Sequence, residues 1–483
     1  MNHPLRALAL GTVLLAGCSL APPYQKPEIK TPDTYKEGGP WQEAAPSDAM
    51  ARGDWWRDFG DTTLDELETR IPAANPDLAV AVANYAGARA FVAEARGSLY
   101  PELDAQAYAT HNRQSDTRPL RSSSQPSEYR DDYLGAQLSY ELDLWGRMRN
   151  LVAAGEASAQ ASAADLASVR LSLAADLADN YIAMRGLDAQ SKLLADTIDA
   201  YTKALELTQN RFQGGIASGL DVAHAQTQLD TARAQASDVR ARRALFEHAI
   251  ARLVGEPASS FAIAPAVVDL PVPKVPVGLP STLLERRPDV AAAERRTAAA
   301  NAQIGVARAA FFPSISLTAT GGYESTGMAD WLAAPNSFWA IGPRALFTIF
   351  DGGRRHAREK EAQAAFDAQS ARYRATALSA FQQVEDELAL LNLLGAEARD
   401  EDAAVASAQK TLELALDRYR NGAVNYLEVV ESQTAVLQAQ RTALSLRDRR
   451  LEASVGLIRA LGGGWDGAAD GGASATRVAA QQR

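Results

Sequence analysis

Hydrophobic residues recur at helical spacing along several long segments that contain no proline. In the first segment the spacing averages about 3.6 positions, the period of a straight α-helix. Further along it shortens to about 3.5 positions, and near the C-terminus apolar residues recur every seven positions, as in coiled coils. The three sets are Leu166, Val169, Leu173, Leu177, Tyr181 and Met184; Ile198, Tyr201, Leu205, Thr208 and Phe212; and Val430, Leu437, Leu444, Leu451 and Ile458. The pattern predicts long helices over residues 147–213, 219–255, 353–420 and 425–461, although a cytoskeleton-like coiled coil would share it.

Four shorter segments alternate apolar and polar residues, which is typical of β-strands with two different faces. They predict strands at about residues 102–112, 132–145, 313–324 and 338–350, each long enough to cross a bilayer when tilted. Charged side chains are costly in lipid, so those of the strands are expected to face water inside a lumen. The lumen-facing residues are Asp104, Glu141, Asp143 and Arg344.

Aromatic residues gather at the ends of these strands, as in the interfacial girdles of membrane barrels. Pro343 lies within the fourth strand and predicts a bulge or weak pairing there. Because an open sheet edge cannot face lipid, four strands cannot close a barrel and several protomers must share one. Three protomers would supply twelve strands, a plausible channel size. The aromatic residues are Tyr100, Tyr133, Trp145, Phe312, Tyr323 and Phe338.

Two similar turns are predicted to close the long helices into hairpins. Ser218 with Asp221, and Asn425 with Glu428, have the spacing of a capping residue followed by an acid at the third helical position. A glycine that allows a tight reversal precedes each pair. These glycines are Gly215 and Gly422.

The two halves of the chain repeat the same landmarks at an offset of about 210 residues. Asn75-Pro76-Asp77 predicts a helix start with Asn75 as the N-cap, and Arg287-Pro288-Asp289 echoes it. The other pairs are Tyr100-Pro101 with Phe312-Pro313, Arg211-Phe212 with Arg418-Tyr419, and Leu220-Asp221-Val222 with Leu427-Glu428-Val429. We infer an internal duplication of one structural unit.

Residues 1–17 combine a basic start with a short apolar stretch, which is typical of a signal peptide. Leu15-Ala16-Gly17-Cys18 resembles a bacterial lipobox in which Cys18 is lipidated; an incidental cysteine after an ordinary signal peptide is the alternative. The following domains are a lipidated extended arm, a first repeat, a proline-rich linker, a second repeat and a disordered tail. Their bounds are 18–53, 54–255, 256–280, 281–461 and 462–483.

The composition narrows the functional classes. The chain has 483 residues, of which 47% are hydrophobic, and a net charge of −10, which argues against disorder and nucleic-acid binding. Cys18 is the one cysteine, so no intramolecular disulfide is possible. The five histidines are scattered, and the sequence has no phosphate-binding loop or nucleophile elbow. We therefore expect no cofactor, no metal site and no enzymatic activity.

Several motifs together make the chain similar to TolC-like outer-membrane efflux factors of the OprM/NodT lipoprotein branch, from Cys18 to about Leu461. Besides the lipobox, the motifs are Ala21-Pro22-Pro23-Tyr24, Trp55-Trp56-Arg57-Asp58-Phe59, Leu142-Asp143-Leu144-Trp145-Gly146-Arg147, Glu285-Arg286-Arg287-Pro288-Asp289, Phe350-Asp351-Gly352-Gly353-Arg354 and Arg418-Tyr419-x-x-Gly422.

This resemblance implies a mixed α/β membrane protein. A homotrimer would share a twelve-stranded β-barrel in the cell outer membrane, anchored by a lipid at Cys18, above a long periplasmic α-helical barrel. It would serve as the exit duct of a tripartite efflux system for drugs and other small toxic compounds, with a periplasmic adaptor and an inner-membrane RND pump as partners. A type I protein-secretion conduit with an ABC exporter is one alternative, and a non-conducting envelope scaffold is another.

The resemblance also places a gate at the periplasmic tip. Glu428 and Glu431 match acids that form a ring at the constriction of TolC-type channels, although Glu428 has the capping explanation as well. The tips presented to the adaptor would comprise Gly215, Ser218, Leu220, Asp221, Gly422 and Leu427.

The closing contacts of this gate differ from the family pattern. Tyr419 matches a tyrosine of the closing latch, whereas Val424 stands where the TolC type has an arginine. We therefore predict a different closure, either apolar or made with Arg418 and Arg420.

Overall fold

The computed structural model describes residues 19–37, 53–120, 122, 124–273, 275, 283–284 and 286–463. Within these residues the helices are α1 (Thr62–Ala74), α2 (Pro76–Gly97), α3 (Arg147–Gln213), α4 (Gly219–Leu253), α5 (Pro288–Ala309), α6 (Arg354–Arg420) and α7 (Tyr426–Ala460). The strands are β1 (Glu102–Arg113), β2 (Glu128–Leu142), β3 (Ser314–Ser325) and β4 (Ser337–Leu346). From α2 onwards, each half of the chain runs through a helix, two strands, a very long helix and a shorter helix.

Corresponding elements of the two halves have equal lengths except for the second strand of each half, which has 15 residues in β2 and 10 in β4. Helices α2 and α5 each have 22 residues, and strands β1 and β3 each have 12. Helices α3 and α6 each have 67 residues, and α4 and α7 each have 35. At 1.5 Å per residue, 67 helical residues extend over about 100 Å. These equalities agree with the duplication inferred from the sequence landmarks.

Helix α2 begins with the predicted N-cap. The side-chain oxygen of Asn75 accepts a hydrogen bond from the backbone N–H of Leu78 at 2.9 Å, and Pro76 is the first helical residue. The side-chain nitrogen of Asn75 also donates to the carbonyl oxygen of Leu253 at 2.8 Å. This one side chain therefore starts α2 and attaches it to the end of α4.

The four strands form one antiparallel sheet in the order β1-β2-β3-β4. Pairing between β2 and β3 runs from Leu142 opposite Ile315 to Asp132 opposite Ser325, so the sheet joins the two repeats.

Strand β4 differs from its prediction in two ways. It ends at Leu346, so the last four residues of the predicted strand, 347–350, lie beyond it. Pairing also continues through Pro343, which lies opposite Leu317 in unbroken register, so the predicted bulge is wrong. β4 lies at the edge of the sheet within one chain, the position in a sheet where proline is tolerated.

Contacts divide the chain into two compact units. Of the described residues, one unit comprises those up to Glu28, Asn84–Ser162 and Ala292–Arg374; the other comprises those within Ile29–Ala83, Ala163–Ala291 and Ala375–Arg483. The first contains the sheet, beside which the Trp145 and Phe312 rings stack at 4.7 Å. The Trp145 indole also donates to the carbonyl oxygen of Pro313 at 2.8 Å. These contacts fix the start of α3 next to the start of β3.

The second unit contains a buried network of charged side chains. Asp188 binds the guanidinium groups of Arg185 and Arg243 at 3.0 and 2.6 Å. Asp188 also accepts a hydrogen bond from the backbone N–H of Ala266, and Arg243 donates to the carbonyl oxygen of Ile263. The network therefore holds the start of the linker between the repeats against α3 and α4.

Among the described residues, no helix is both long enough and apolar enough to cross a membrane.

Candidate functional site

The register of the sheet separates a polar face from an apolar face. Asp104 lies opposite Gln137, and Glu141 lies opposite Ser316, which in turn lies opposite Arg344. Because side chains alternate along each strand, Asp104, Glu141 and Arg344 share one face. The opposite face carries Leu103, Ala105, Ala107, Leu134, Ala136, Leu138, Ile315, Leu317, Ala319, Trp339 and Ile341. The sheet has the two surfaces that a wall between lipid and water requires.

Asp143 has a different role from the predicted one. It follows the last residue of β2, and its carboxylate accepts hydrogen bonds from the backbone N–H groups of Met148 and Arg149 at 3.1 and 2.9 Å. The carboxylate also binds the guanidinium of Arg149, and its side chain is 12% exposed. Asp143 therefore satisfies free N–H groups at the start of α3 and is not an open lumenal charge.

Glu141 is also paired. Its carboxylate binds the Arg147 guanidinium through two hydrogen bonds, at 3.0 and 2.7 Å. This fork is the geometry in which arginine binds a carboxylate most strongly. The pair attaches the end of β2 to the first turn of α3.

Two of the predicted girdle aromatics lie on the polar face. Tyr133 and Phe338 occupy the same face as Asp104, and their rings are 5.4 Å apart. Their assignment to a lipid-interface girdle is therefore wrong, because the register gives them the opposite orientation. Tyr323 lies on the apolar face, as a girdle residue should.

The tip between α3 and α4 is held by a reciprocal capping box. The Ser218 hydroxyl accepts a hydrogen bond from the backbone N–H of Asp221 at 3.2 Å, and the Asp221 carboxylate accepts one from the backbone N–H of Ser218 at 2.9 Å. Gly215 has φ of +75°, a conformation that favours glycine. Ile216 and Leu220 are 70% and 66% exposed at this tip. The capping prediction is confirmed here, and the turn presents two apolar side chains to solvent.

The tip between α6 and α7 is built differently. Gly422 has φ of +76°, as its counterpart does, but the Asn425 side chain makes no capping hydrogen bond. The Glu428 carboxylate instead accepts a hydrogen bond from the Arg418 guanidinium at 2.8 Å. Asn425 and Glu428 therefore occupy the predicted N-cap and third helical positions, but the predicted side-chain cap of Asn425 is absent, and the acid binds a charged donor. Glu431, one turn further along, is exposed.

Tyr419 is buried within its own chain. It is 3% exposed, packs edge-on against Tyr426 with ring centres 5.2 Å apart, and its hydroxyl lies 3.4 Å from the Thr208 hydroxyl. Val424 packs against the same core cluster. Burial and the neighbouring Tyr419 raise the pKa of Tyr426 to about 12. These residues therefore join the two hairpins of one protomer.

Arg211 is a tip residue that the sequence marked only as a repeat landmark. Its guanidinium lies 4.7 Å from the centre of the Tyr419 ring and donates to the carbonyl oxygen of Arg420 at 3.1 Å. It corresponds in the repeat to Arg418, which binds Glu428. The repeat offset relates Arg211 to Arg418, and it is the sequence signal that could have marked Arg211 as a candidate tip residue. The Arg420 side chain lies 3.6 Å from the Asp417 carboxylate.

Comparison with known proteins identifies the family. Residues 69–256 and 279–463 match the family model described as outer membrane efflux protein. The chain belongs to this family.

Its relatives match it over nearly their whole length. The chain is 35% identical to the probable efflux pump outer membrane protein SepC of Pseudomonas putida, over 94% of this chain and 96% of that protein. It is 32% identical to the pyoverdine export outer membrane protein OpmQ of Pseudomonas aeruginosa, over 95% of this chain and 96% of that protein.

Solved structures give the same result. The outer-membrane channel OprN superimposes with a TM-score of 0.87 at 27% identity, covering 93% of this chain and all of that one. The MtrE channel of Neisseria gonorrhoeae gives a TM-score of 0.80 at 29% identity, covering 92% of this chain and 98% of that one.

The predicted fold class, location and broad function are confirmed. The chain is an outer-membrane efflux channel whose four strands contribute to a shared twelve-stranded trimeric barrel, with the long helices forming a tunnel in the periplasm. Cys18, the predicted lipidation site, lies outside the described residues. Among the described residues, no group of three or more histidine, cysteine or acidic side chains is arranged to hold a metal ion.

Proposed function

We propose that this protein is the exit duct of a tripartite efflux system that expels drugs and other small toxic compounds. A periplasmic adaptor and an inner-membrane RND pump would be its partners, and the protein would perform no chemistry itself. The two-faced sheet carries the proposal, because its polar face supplies a water-lined path and its apolar face meets lipid. Further relatives from Pseudomonas putida are named as toluene, antibiotic and solvent efflux pump outer membrane proteins, which supports small toxic compounds as the cargo. A lipid at Cys18 would anchor the duct in the membrane.

The lumenal charges would be Asp104 and Arg344. Glu141 is held by Arg147 at the end of the sheet where β2 leads into α3. Charges of both signs along one water-lined face let ions and polar solutes pass without a single dominant barrier.

The gate would lie at the tip between α6 and α7. Threefold symmetry would bring three copies of Glu428 and Glu431 together as an acidic ring. Glu428 forms an ion pair with Arg418, so this pair would belong to the gate. Breaking the pair would leave a positive and a negative side chain without their partners at the constriction. Arg420 contributes a further positive charge nearby. Tyr419 and Val424 would support the ring from within the hydrophobic core.

The two hairpin tips would bind the adaptor. Leu220 and Leu427 are 66% and 45% exposed, and each follows its turn glycine at the same spacing. Exposed apolar side chains on two tight turns are suited to packing against a partner. The complete set would be Gly215, Ser218, Leu220, Asp221, Gly422 and Leu427.

Single-channel conductance in planar bilayers tests the duct and its gate together. We expect the wild-type trimer to show a small cation-selective conductance that millimolar divalent cations block. Glu428→Gln/Glu431→Gln should relieve the block and reduce cation selectivity, because the acidic ring is gone. Glu413→Gln serves as the control, since this exposed acid on α6 forms an ion pair with Lys410 at 2.8 Å.

The outcomes separate the duct from the gate. A conducting pore that ignores the double substitution would keep the duct and reject the acidic gate. A protein that stays silent even after both tips are removed would contradict the duct itself.

A further inference from the structure

Three aromatic rings form a cluster on the polar face of the sheet. The rings of Tyr108 and Tyr133 stack at 4.8 Å with an angle of 4° between their planes, and Phe338 lies 5.4 Å from Tyr133. Tyr108 lies directly opposite Tyr133 in the register, so the two rings belong to neighbouring strands. Three adjoining rings are unexpected on a surface whose other residues are mostly small, polar or charged.

Glycines make room for this cluster. A Cβ atom at Gly135 would lie 2.5 Å from the Tyr133 hydroxyl oxygen and 2.7 Å from its Cζ, so the Tyr133 ring lies flat along its own strand over Gly135. Gly322 lies opposite Gly135, and Phe338 lies opposite Gly322. A larger side chain at Gly135 would lift the Tyr133 ring away from the sheet. The sequence therefore builds a flat aromatic surface across three strands.

Carboxylates adjoin the rings on the same face. Glu324 lies opposite Tyr133, and Asp131 lies two residues before Tyr133 on β2. Aromatic faces attract planar aromatic groups by stacking and cations through the ring quadrupole. Neighbouring carboxylates add to the attraction for positive charge.

We propose that Tyr108, Tyr133 and Phe338 form a stacking site for planar aromatic cations inside the channel. The proposal rests on the proposed function, because it requires the polar face to line the conduit. Threefold symmetry would place three such sites around the barrel, on the half of the sheet nearer the β1–β2 and β3–β4 loops. Cargo that stacks there is retained near the exit, which distinguishes aromatic from aliphatic solutes in a channel otherwise lined with polar groups.

Thiol labelling tests both the orientation and the site, whatever the state of the gate. Gln106 lies on the polar face opposite Gly135, so Gln106→Cys places a thiol beside the intact rings. Ala107→Cys places one on the apolar face as a matched control. We would label full-length trimers in intact outer membranes with a permanently charged methanethiosulfonate, using the wild type to measure background.

The expected result has two parts. Gln106→Cys should react readily and Ala107→Cys should not. N-methylquinolinium, a planar aromatic cation, should slow labelling of Gln106→Cys about two- to tenfold more than tetramethylammonium does. This range is the affinity ratio that corresponds to the free energy of one aromatic stacking contact. The difference should vanish in a Gln106→Cys/Tyr108→Leu/Tyr133→Leu background and persist with Gln106→Cys/Tyr323→Leu.

Each failure has its own meaning. Equal slowing by the two cations in Gln106→Cys would reject the stacking site and leave the duct intact. Labelling of Ala107→Cys in place of Gln106→Cys would reverse the two faces and overturn the proposed function as well.

Discussion

Single residues in this protein carry ionisable groups in unusual surroundings, and Glu68 is the sharpest case. Its side chain on α1 is 2% exposed, and Oε1 has no hydrogen-bond partner among the described residues. Burial, with a smaller effect of the nearby Asp65 charge, raises the pKa of Glu68 from 4.5 to about 9. At neutral pH the folded protein therefore holds a proton that the unfolded chain releases.

The stability of the protein should consequently fall as pH rises between about 4.5 and 9, and level off above this range. From pH 6 to pH 8 we expect a loss of about 1–3 kcal/mol from this group. Glu68→Gln resembles the protonated acid and should remove this part of the pH dependence. Circular dichroism melting curves, recorded at several pH values and one scan rate, measure this pH dependence of stability. Glu66→Gln, on the exposed side of the same helix, should leave the slope unchanged, and an unchanged slope in Glu68→Gln would contradict the argument.

At the scale of elements, the two hairpin turns look alike in sequence but are stabilised differently. Ser218 caps α4 through its hydroxyl, whereas the Asn425 side chain makes no capping bond to α7. Ser218→Ala should therefore cost about 1 kcal/mol of local stability, and Asn425→Ala much less. Hydrogen exchange of the first-turn amides of the two helices measures the difference. Equal loss of protection in the two variants would show that Asn425 caps after all.

Elements were predictable from sequence where periodicity alone determines them. The 3.6 and 3.5 spacings and the absence of proline gave the long helices, and strict alternation gave the strands. Side-chain partners were not predictable in this way. Asp143 turns out to cap α3, and Tyr133 faces the polar side, because both depend on where β2 ends and how it is registered against β1. The Arg418–Glu428 pair likewise depends on the path of a turn that a capping pattern does not specify.

At the scale of the whole molecule, the duplication requires two hairpins of equal length. Helices α3 and α6 have 67 residues each, and α4 and α7 have 35 each, so the two hairpins have the same helix lengths. A gate at the α6–α7 tip that is supported from the side by the α3–α4 tip would depend on this equality. Contacts between them, such as Arg211 with Tyr419 and Gln228 with Thr434 at 3.1 Å, hold the tips level within one protomer.

Deletions of seven residues test this dependence, because seven residues are two turns at the 3.5-residue period and preserve the apolar seam. Removing 198–204 with 229–235 shortens the first hairpin by about 10 Å, and removing 405–411 with 436–442 shortens the second equally. Shortening both should keep the trimer and a low, divalent-sensitive conductance. Shortening only the first should keep the trimer, because the sheet is untouched, but separate the tips and give a large conductance without divalent block. Gel mobility of the unheated trimer and planar-bilayer recordings measure the two properties.

Low, divalent-sensitive conductance in the protein with one short hairpin would contradict this expectation. It would show that the second hairpin closes the channel alone, and that equal length serves the adaptor rather than the gate.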